Sequence, residues 1–200
     1  CIIPKLRGAL RSRTVESLTK EAHKLVESGV VELNLISQDL SSYGVDLDEK
    51  DNLLNLLKSL EEVEGLKWVR LYYHYPDDLT EELMAFIANA KKVVPYLDMP
   101  IQHFSTPILR KMNRFKITEE EIFRKTKRLR ELIPDIVIRT SVIVGFPGET
   151  EEDFLLLKKG IEELKFDHLG VFKYSDEDGT PAFNLPNKNS QEIIENRFDQ

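Results

Sequence analysis

The residues of this chain that are able to do chemistry sit where apolar runs end. They are Cys1 with a basic loop carrying Lys5, Arg7, Arg11 and Arg13; Ser37-Gln38-Asp39; His74; Gln102-His103; Gly145-Phe146; and Phe172 with Tyr174. The loop CIIPKLRGALRSR suits a solvated surface or an anion-facing site. Asp39 can cap a loop or meet a cation. His74 and His103 fit satisfied hydrogen-bonding roles as well as ligand roles. Cys1 taken alone reads as a small buried apolar group. Neither a Ser–His–Asp order nor an H-E-x-x-H spacing is present, so triad hydrolysis and zincin chemistry have no support.

The elements that must position these residues are organised around Asp135–Phe154, DIVIRTSVIVGFPGETEEDF. Ile136, Val137, Ile138, Val142, Ile143 and Val144 suit a strand covered on both faces. Gly145-Phe146-Pro147-Gly148 breaks it into a turn. Thr150 offers an N-cap, and Glu151, Glu152 and Asp153 fill a first helical turn that favours acids. Phe154, Leu157, Ile161 and Leu164 follow at helical spacing. In α/β proteins ligands bind at the carboxyl ends of strands, which directs attention to the turn.

The same alternation runs through the chain. Strands are expected at Val31–Ile36, Lys67–His74, Pro95–Asp98, the central run and His168–Tyr174. Helices are expected at Thr14–Ser28, Glu49–Leu60, from Thr80 to Ala90, Ser105–Met112, from Thr118 to Pro134, and after Thr150. Residues 1–13 read as a Pro- and Gly-broken loop. The pattern predicts α/β architecture, a partial (β/α)6 TIM-like barrel whose first strand lies before residue 1, with a doubly wound sheet as runner-up. Residues 1–182 form the barrel core on this reading. Residues 183–200 form a polar tail and the start of a helix leading to a further C-terminal domain.

A chain of 200 residues can bury a sizeable core. With 32% charged and 41% hydrophobic residues it has a globular composition, and a net charge of −7 argues against a nucleic-acid-coating role. One cysteine excludes an internal disulfide framework and fits a reducing, cytoplasmic compartment. No apolar run approaches a membrane span. Cys1, with no initiator Met before it, reads as the interior of a longer protein.

Several stretches together resemble a known family. Cys1-Ile2-Ile3-Pro4 with Arg7-Gly8 and Ser12-Arg13 is similar to the segment that begins at the third cysteine of C-x3-C-x2-C in radical S-adenosylmethionine (SAM) enzymes. Val144-Gly145-Phe146-Pro147-Gly148-Glu149-Thr150 is similar to their fifth-strand turn. Within that superfamily the chain resembles the methylthiotransferases along essentially its whole length. Ile36-Ser37-Gln38-Asp39 with Ser42-Tyr43-Gly44, Tyr73-His74-Tyr75-Pro76, Pro95 to His103, and Phe172-Lys173-Tyr174-Ser175 resemble the branch that modifies an aspartate of ribosomal protein S-twelve. The tRNA-modifying branch usually shows a Gly-Gln-Asn type sequence where this chain has Ser37-Gln38-Asp39.

The resemblance implies a radical SAM barrel in which Cys1 is the third ligand of a SAM-binding 4Fe–4S cluster. It implies reductive cleavage of SAM, hydrogen abstraction from the aspartate β-carbon, and delivery of a methylthio group assembled at a second 4Fe–4S cluster in a separate N-terminal domain. Asp39, Gln102, Arg139, Ser141, Gly145 and Phe172 are the SAM-contacting candidates. Arg7, Arg11, Arg13, His74 and His103 are the candidate anchors for a substrate carboxylate. No catalytic residue is assigned beyond the cluster. The implied partners are ribosomal protein S-twelve or the small ribosomal subunit, and an electron donor such as flavodoxin or ferredoxin, with no membrane. The other two cluster cysteines would precede residue 1, so residues 1–200 alone are expected to be inactive. A tRNA-adenosine methylthiotransferase and a non-catalytic α/β binding domain are the competing readings.

Overall fold

The computed structural model describes residues 2–200, leaving aside the side chain of Pro4. All five expected strands are present, in the sheet order β1-β2-β3-β4-β5, where β1 is Glu32–Leu35, β2 Trp68–Leu71, β3 Val93–Asp98, β4 Val137–Val144 and β5 His168–Lys173. The pairs β1–β2, β2–β3 and β4–β5 are parallel. Helices separate the strands in sequence, as parallel pairing requires of its crossovers. The chain forms two compact units. One holds Leu10–Met99 and Arg128–Ile138; the other holds the segment up to Ala9, Pro100–Lys127 and Arg139–Gln200.

In the first unit, α2 (Val15–Glu27) starts at Thr14, whose hydroxyl accepts the Ser17 amide at 3.2 Å. The chain turns at Gly29, φ 97°, before β1. Helix α3 (Leu53–Glu61) buries Leu53, Leu56, Leu57 and Leu60. It begins four residues later than the sequence predicts, because Asn52 is its cap. Helix α4 (Glu81–Asn89) buries Leu83, Met84 and Ile87. On β2 the alternation is clean: Val69 and Leu71 are buried, and Trp68 and Arg70 face the other way. Arg70 bonds Glu32 at 2.9 Å and lies 5.0 Å from the centre of the Tyr96 ring.

In the second unit, residues 3–7 differ from expectation. Ile3–Arg7 is a short helix, α1, rather than a loop. A proline in the first helical turn costs nothing there, since its missing N–H has no intrahelical partner to lose. Then come α5 (Thr106–Lys111), β4 from Arg139 onward, α7 (Glu151–Leu164), β5 and α8 (Gln191–Asp199), while α6 (Glu119–Leu132) and β4 cross the division between the units in sequence. Strand β4 also differs from expectation. Ile138, Thr140, Val142 and Val144 are buried, whereas Arg139 is exposed and Ser141 and Ile143 are half-buried. The strand is covered on one face and open on the other.

The Thr150 cap is a full capping box. The Thr150 hydroxyl accepts the Asp153 amide, and Asp153 accepts the Thr150 amide at 2.9 Å. The stretch after residue 182 is folded: α8 packs on β5 and buries Ile194 and Arg197. No helix among the described residues is long and apolar enough to cross a membrane.

Candidate functional site

Successive strand ends are stitched together by backbone bonds. Leu40 N–H donates to Tyr73 C=O at 2.9 Å, and His74 N–H to Asp98 C=O at 2.9 Å. Gln102 N–H donates to Ser141 C=O at 2.9 Å, and Tyr174 N–H to Val144 C=O at 2.9 Å. Asp39, His74 and Gln102 follow strand ends, whereas Arg139, Ser141 and Phe172 lie within β4 and β5. They divide between the two units.

The first unit holds Arg11, Arg13, Asp39 and His74. A cavity of about 360 Å³ has apolar walls including Leu18, Leu33 and Leu56 and a polar rim including Arg11, Arg13 and Asp39. Asp39 acts as a cap here: it accepts the Ser41 amide at 3.0 Å, the Ser41 hydroxyl, and the Ser42 hydroxyl at 2.5 Å. Arg13 is engaged by Ser17 and Glu21. Tyr43 donates to Arg13 C=O at 2.7 Å, and its hydroxyl is pushed up to about 12, first by burial and then by the Asp51 charge. His74 is 1% exposed, with Nδ1 2.9 Å from Tyr75 C=O, so it is enclosed rather than offered as a carboxylate anchor.

The second unit brings Gln102, His103, Arg139, Ser141, Gly145 and Phe172 onto β4, β5 and the loop before α5; Arg7 is exposed at the end of α1. Ser141 pairs with Gly170 and Ile143 with Phe172 across the parallel ladder. A Cβ on Gly170 would lie 3.4 Å from the Phe172 ring and 3.8 Å from Ser141 Cβ. Serine, glycine and phenylalanine therefore share one face, with the Phe172 ring beside Gly170. Phe172 is 57% exposed on that face.

Gln102 is held at φ 70°, in the left-handed region that non-glycine residues seldom occupy. Its C=O accepts the Ile143 amide at 2.9 Å, while its side-chain amide makes no hydrogen bond among the described residues.

His103 is fully buried. Its Nδ1 accepts the Ser105 amide at 2.9 Å, which puts the ring proton on Nε2, 3.5 Å from Glu149 Oε2. That distance is within ion-pair range, but no hydrogen bond is made. Gly145, φ 77°, is also buried, and its amide donates to Glu149 Oε2 at 2.9 Å. Neither residue is open to solvent in this arrangement. Phe146 packs edge-on against Tyr174 at 5.2 Å.

Cys1 lies outside the described residues, and with it the expected cluster ligand. Among the described residues no group of three or more His, Cys, Asp or Glu is arranged to hold a metal ion.

Strands in chain order with helices between them and polar and aromatic groups near the strand ends define an α/β domain. The Radical SAM superfamily model matches residues 1–177, and the chain belongs to that superfamily. Membership implies a 4Fe–4S cluster and SAM as cofactors. The chain is 52% identical over 99% of its length to the ribosomal protein uS12 methylthiotransferase RimO of Geobacter sulfurreducens, covering 44% of that protein. It is 52% identical over its whole length to the protein of that name from Clostridioides difficile, covering 45% of it. It is 48% identical to the one from Thermotoga petrophila, covering 46%. The chain thus spans about half the length of the curated relatives it matches.

Two solved structures share the fold. Coproporphyrinogen III oxidase (HemN) of Escherichia coli, a radical SAM enzyme, superposes with TM-score 0.66 at 18% identity, over 92% of this chain and 44% of that one. The radical SAM methyltransferase TsrM of Kitasatospora setae, with cobalamin and a [4Fe-4S] cluster bound, gives 0.61 at 20%, over 80% of this chain and 31% of that one.

Proposed function

We propose that this chain is the radical SAM core of an enzyme that adds a methylthio group to an aspartate of ribosomal protein uS12. The observation that carries this reading is the 52% identity, over 99% of the chain, to a transferase of that name. The whole protein would work in the cytoplasm, on uS12 or the small ribosomal subunit, with flavodoxin or ferredoxin as electron donor. A second 4Fe–4S cluster would be held by a separate domain.

The adenosyl end of SAM fits the second unit. The exposed ring of Phe172, beside Gly170 and Ser141 on one face, is an aromatic surface on which an adenine ring would stack. Ser141 and Arg139, two residues apart on β4, supply a hydroxyl and a guanidinium for ribose or carboxylate. The unbonded amide of Gln102 adds a donor and an acceptor. The cluster has one candidate ligand in this sequence, the thiol of Cys1; its remaining ligands would come from residues outside it. When bound, the cluster supplies the electron that cleaves SAM reductively. The protein's own groups bind and orient the nucleoside, and apolar cover from residues such as Ile143 and Phe172 keeps water off the reacting end.

Anaerobic reconstitution of the full-length protein with iron and sulfide tests the reading. Formation of 5′-deoxyadenosine from SAM is expected in the wild type and absent in Cys1→Ala. An unaltered rate in Cys1→Ala would contradict it.

A further inference from the structure

The turn that ends β4 is held from within by Glu149 and from outside by α8. The Glu149 side chain is fully buried. Its Oε2 accepts the Gly145 amide at 2.9 Å and the Phe146 amide at 3.3 Å, so one carboxylate oxygen closes the turn. Its Oε1 accepts from Nη1 of Arg197 at 2.7 Å, and the Arg197 side chain is 6% exposed. Arg197 Nη1 also donates to Glu149 C=O at 3.2 Å, and the guanidinium lies 5.4 Å from the centre of the Phe154 ring. One helical turn earlier, Ile194 fills the space beside Gly145 that a side chain there would need. The segment entering α8 adds two tethers: Asn187 C=O accepts the Gly148 amide at 2.8 Å, and the Asn189 side-chain amide donates to Phe146 C=O at 3.0 Å.

A carboxylate buried in this way would be costly unless paired. The structure pairs it with a cation from a helix some fifty residues later in the chain, rather than with one from the turn itself. The turn's buried carboxylate therefore has its guanidinium partner on α8. The same turn ends the strand that carries Arg139 and Ser141, and Ile143 of that strand bonds the strained Gln102.

We propose that Ile194 and Arg197 form a latch through which α8 sets the conformation of the Gly145–Glu149 turn, and with it the adenosyl-binding end of β4. Glu149 and Arg197 are positioning residues in this scheme and touch no ligand. The binding half of the proposal rests on the adenosyl reading given above. The turn half does not.

The test uses the full-length protein and the double variant Glu149→Gln/Arg197→Met, because Arg197→Met alone would leave the Glu149 carboxylate buried without its guanidinium, while Arg197 also meets Glu151 at 3.3 Å. The Glu149→Gln side chain keeps an acceptor for the Gly145 amide, so the variant cuts the tether to α8 without removing the turn's own cap. Hydrogen exchange followed by mass spectrometry should show the peptide bearing Gly145 and Phe146 exchanging at least about tenfold faster, with peptides of β1 and β2 unchanged. In the cluster-loaded protein, equilibrium dialysis should show SAM bound about tenfold more weakly. Arg197→Lys, which keeps the cation, should restore most of both. Unchanged exchange in the turn, or exchange that rises equally everywhere, overturns the latch. Faster turn exchange with unchanged SAM affinity overturns its role in binding. If the wild type itself binds no SAM, the adenosyl reading fails, and the exchange arm decides the latch alone.

Discussion

Ile194 occupies the space beside Gly145: a Cβ added to that glycine would lie 2.4 Å from Ile194 Cγ1. The two residues are 49 positions apart, and Gly145 also sits at φ 77°. Both facts favour glycine: the first is set by the packing of α8, the second by the backbone of the turn.

Gly145→Ala is therefore expected to lower stability by about 3 kcal/mol, the left-handed penalty plus local overpacking. In an Ile194→Ala background the same change should cost only about 1–2 kcal/mol, because the clash is gone and the backbone penalty remains. Urea denaturation of the four proteins reads the coupling. Equal costs in both backgrounds would mean that Ile194 is not what excludes a side chain at residue 145.

Much of this turn is visible in the sequence, and its restraint is not. The β-branched run, the Gly-Phe-Pro-Gly break and Thr150 with Asp153 announce a strand, a turn and a capped helix, because each signal is local. Glu149 reads simply as part of an acidic stretch. Its partners, His103 and Arg197, are far away in sequence, and no local pattern reports them. The open face of β4 is hidden for a related reason. Period-two alternation groups Arg139 with Ser141 but does not say which face is covered. Gly170 and Phe172 on β5 resolve it. Helix α1 is masked by Pro4, which signals a break in most contexts and is harmless in a first turn.

Gln102 carries a backbone penalty that glycine would relieve. Gln102→Gly is expected to leave stability within about 1 kcal/mol of wild type, since relief of strain offsets the added freedom of the unfolded chain. SAM affinity of the cluster-loaded full-length protein should fall about tenfold, the worth of one or two hydrogen bonds. A loss of stability without a change in affinity would make Gln102 a purely structural residue.

Phe172 offers a sharper separation. More than half exposed, it contributes little to the core, so Phe172→Ala should change stability by less than about 0.5 kcal/mol. Loss of an aromatic wall should weaken SAM binding about tenfold or more. Thermal melting and equilibrium dialysis on the same preparation measure both. Unchanged binding would remove β5 from the adenosyl site.

Asp153 links the capping box to pH. Burial alone would raise its carboxyl, but hydrogen bonds from the Ser105 hydroxyl and from the Thr150 amide and hydroxyl together outweigh it, holding the group below its usual range. A carboxylate depressed in the folded state adds stability above its unfolded pKa of about 4, and that stability is lost as pH falls through the folded value. Melting temperature should therefore drop below about pH 4 in the wild type, and drop less steeply in Asp153→Asn. Parallel curves for the two proteins would show that Asp153 carries no such linkage.

The central claim concerns what the whole enzyme modifies, and mass spectrometry of both candidate substrates after turnover tests it most directly. The full-length protein, loaded with iron and sulfide and given SAM, a sulfur source and a reductant, would be offered ribosomal protein uS12 and tRNA in separate reactions. The account predicts a methylthio mass gain on one aspartate of uS12 and none on tRNA. A gain on an adenosine of tRNA, with uS12 unchanged, would contradict it.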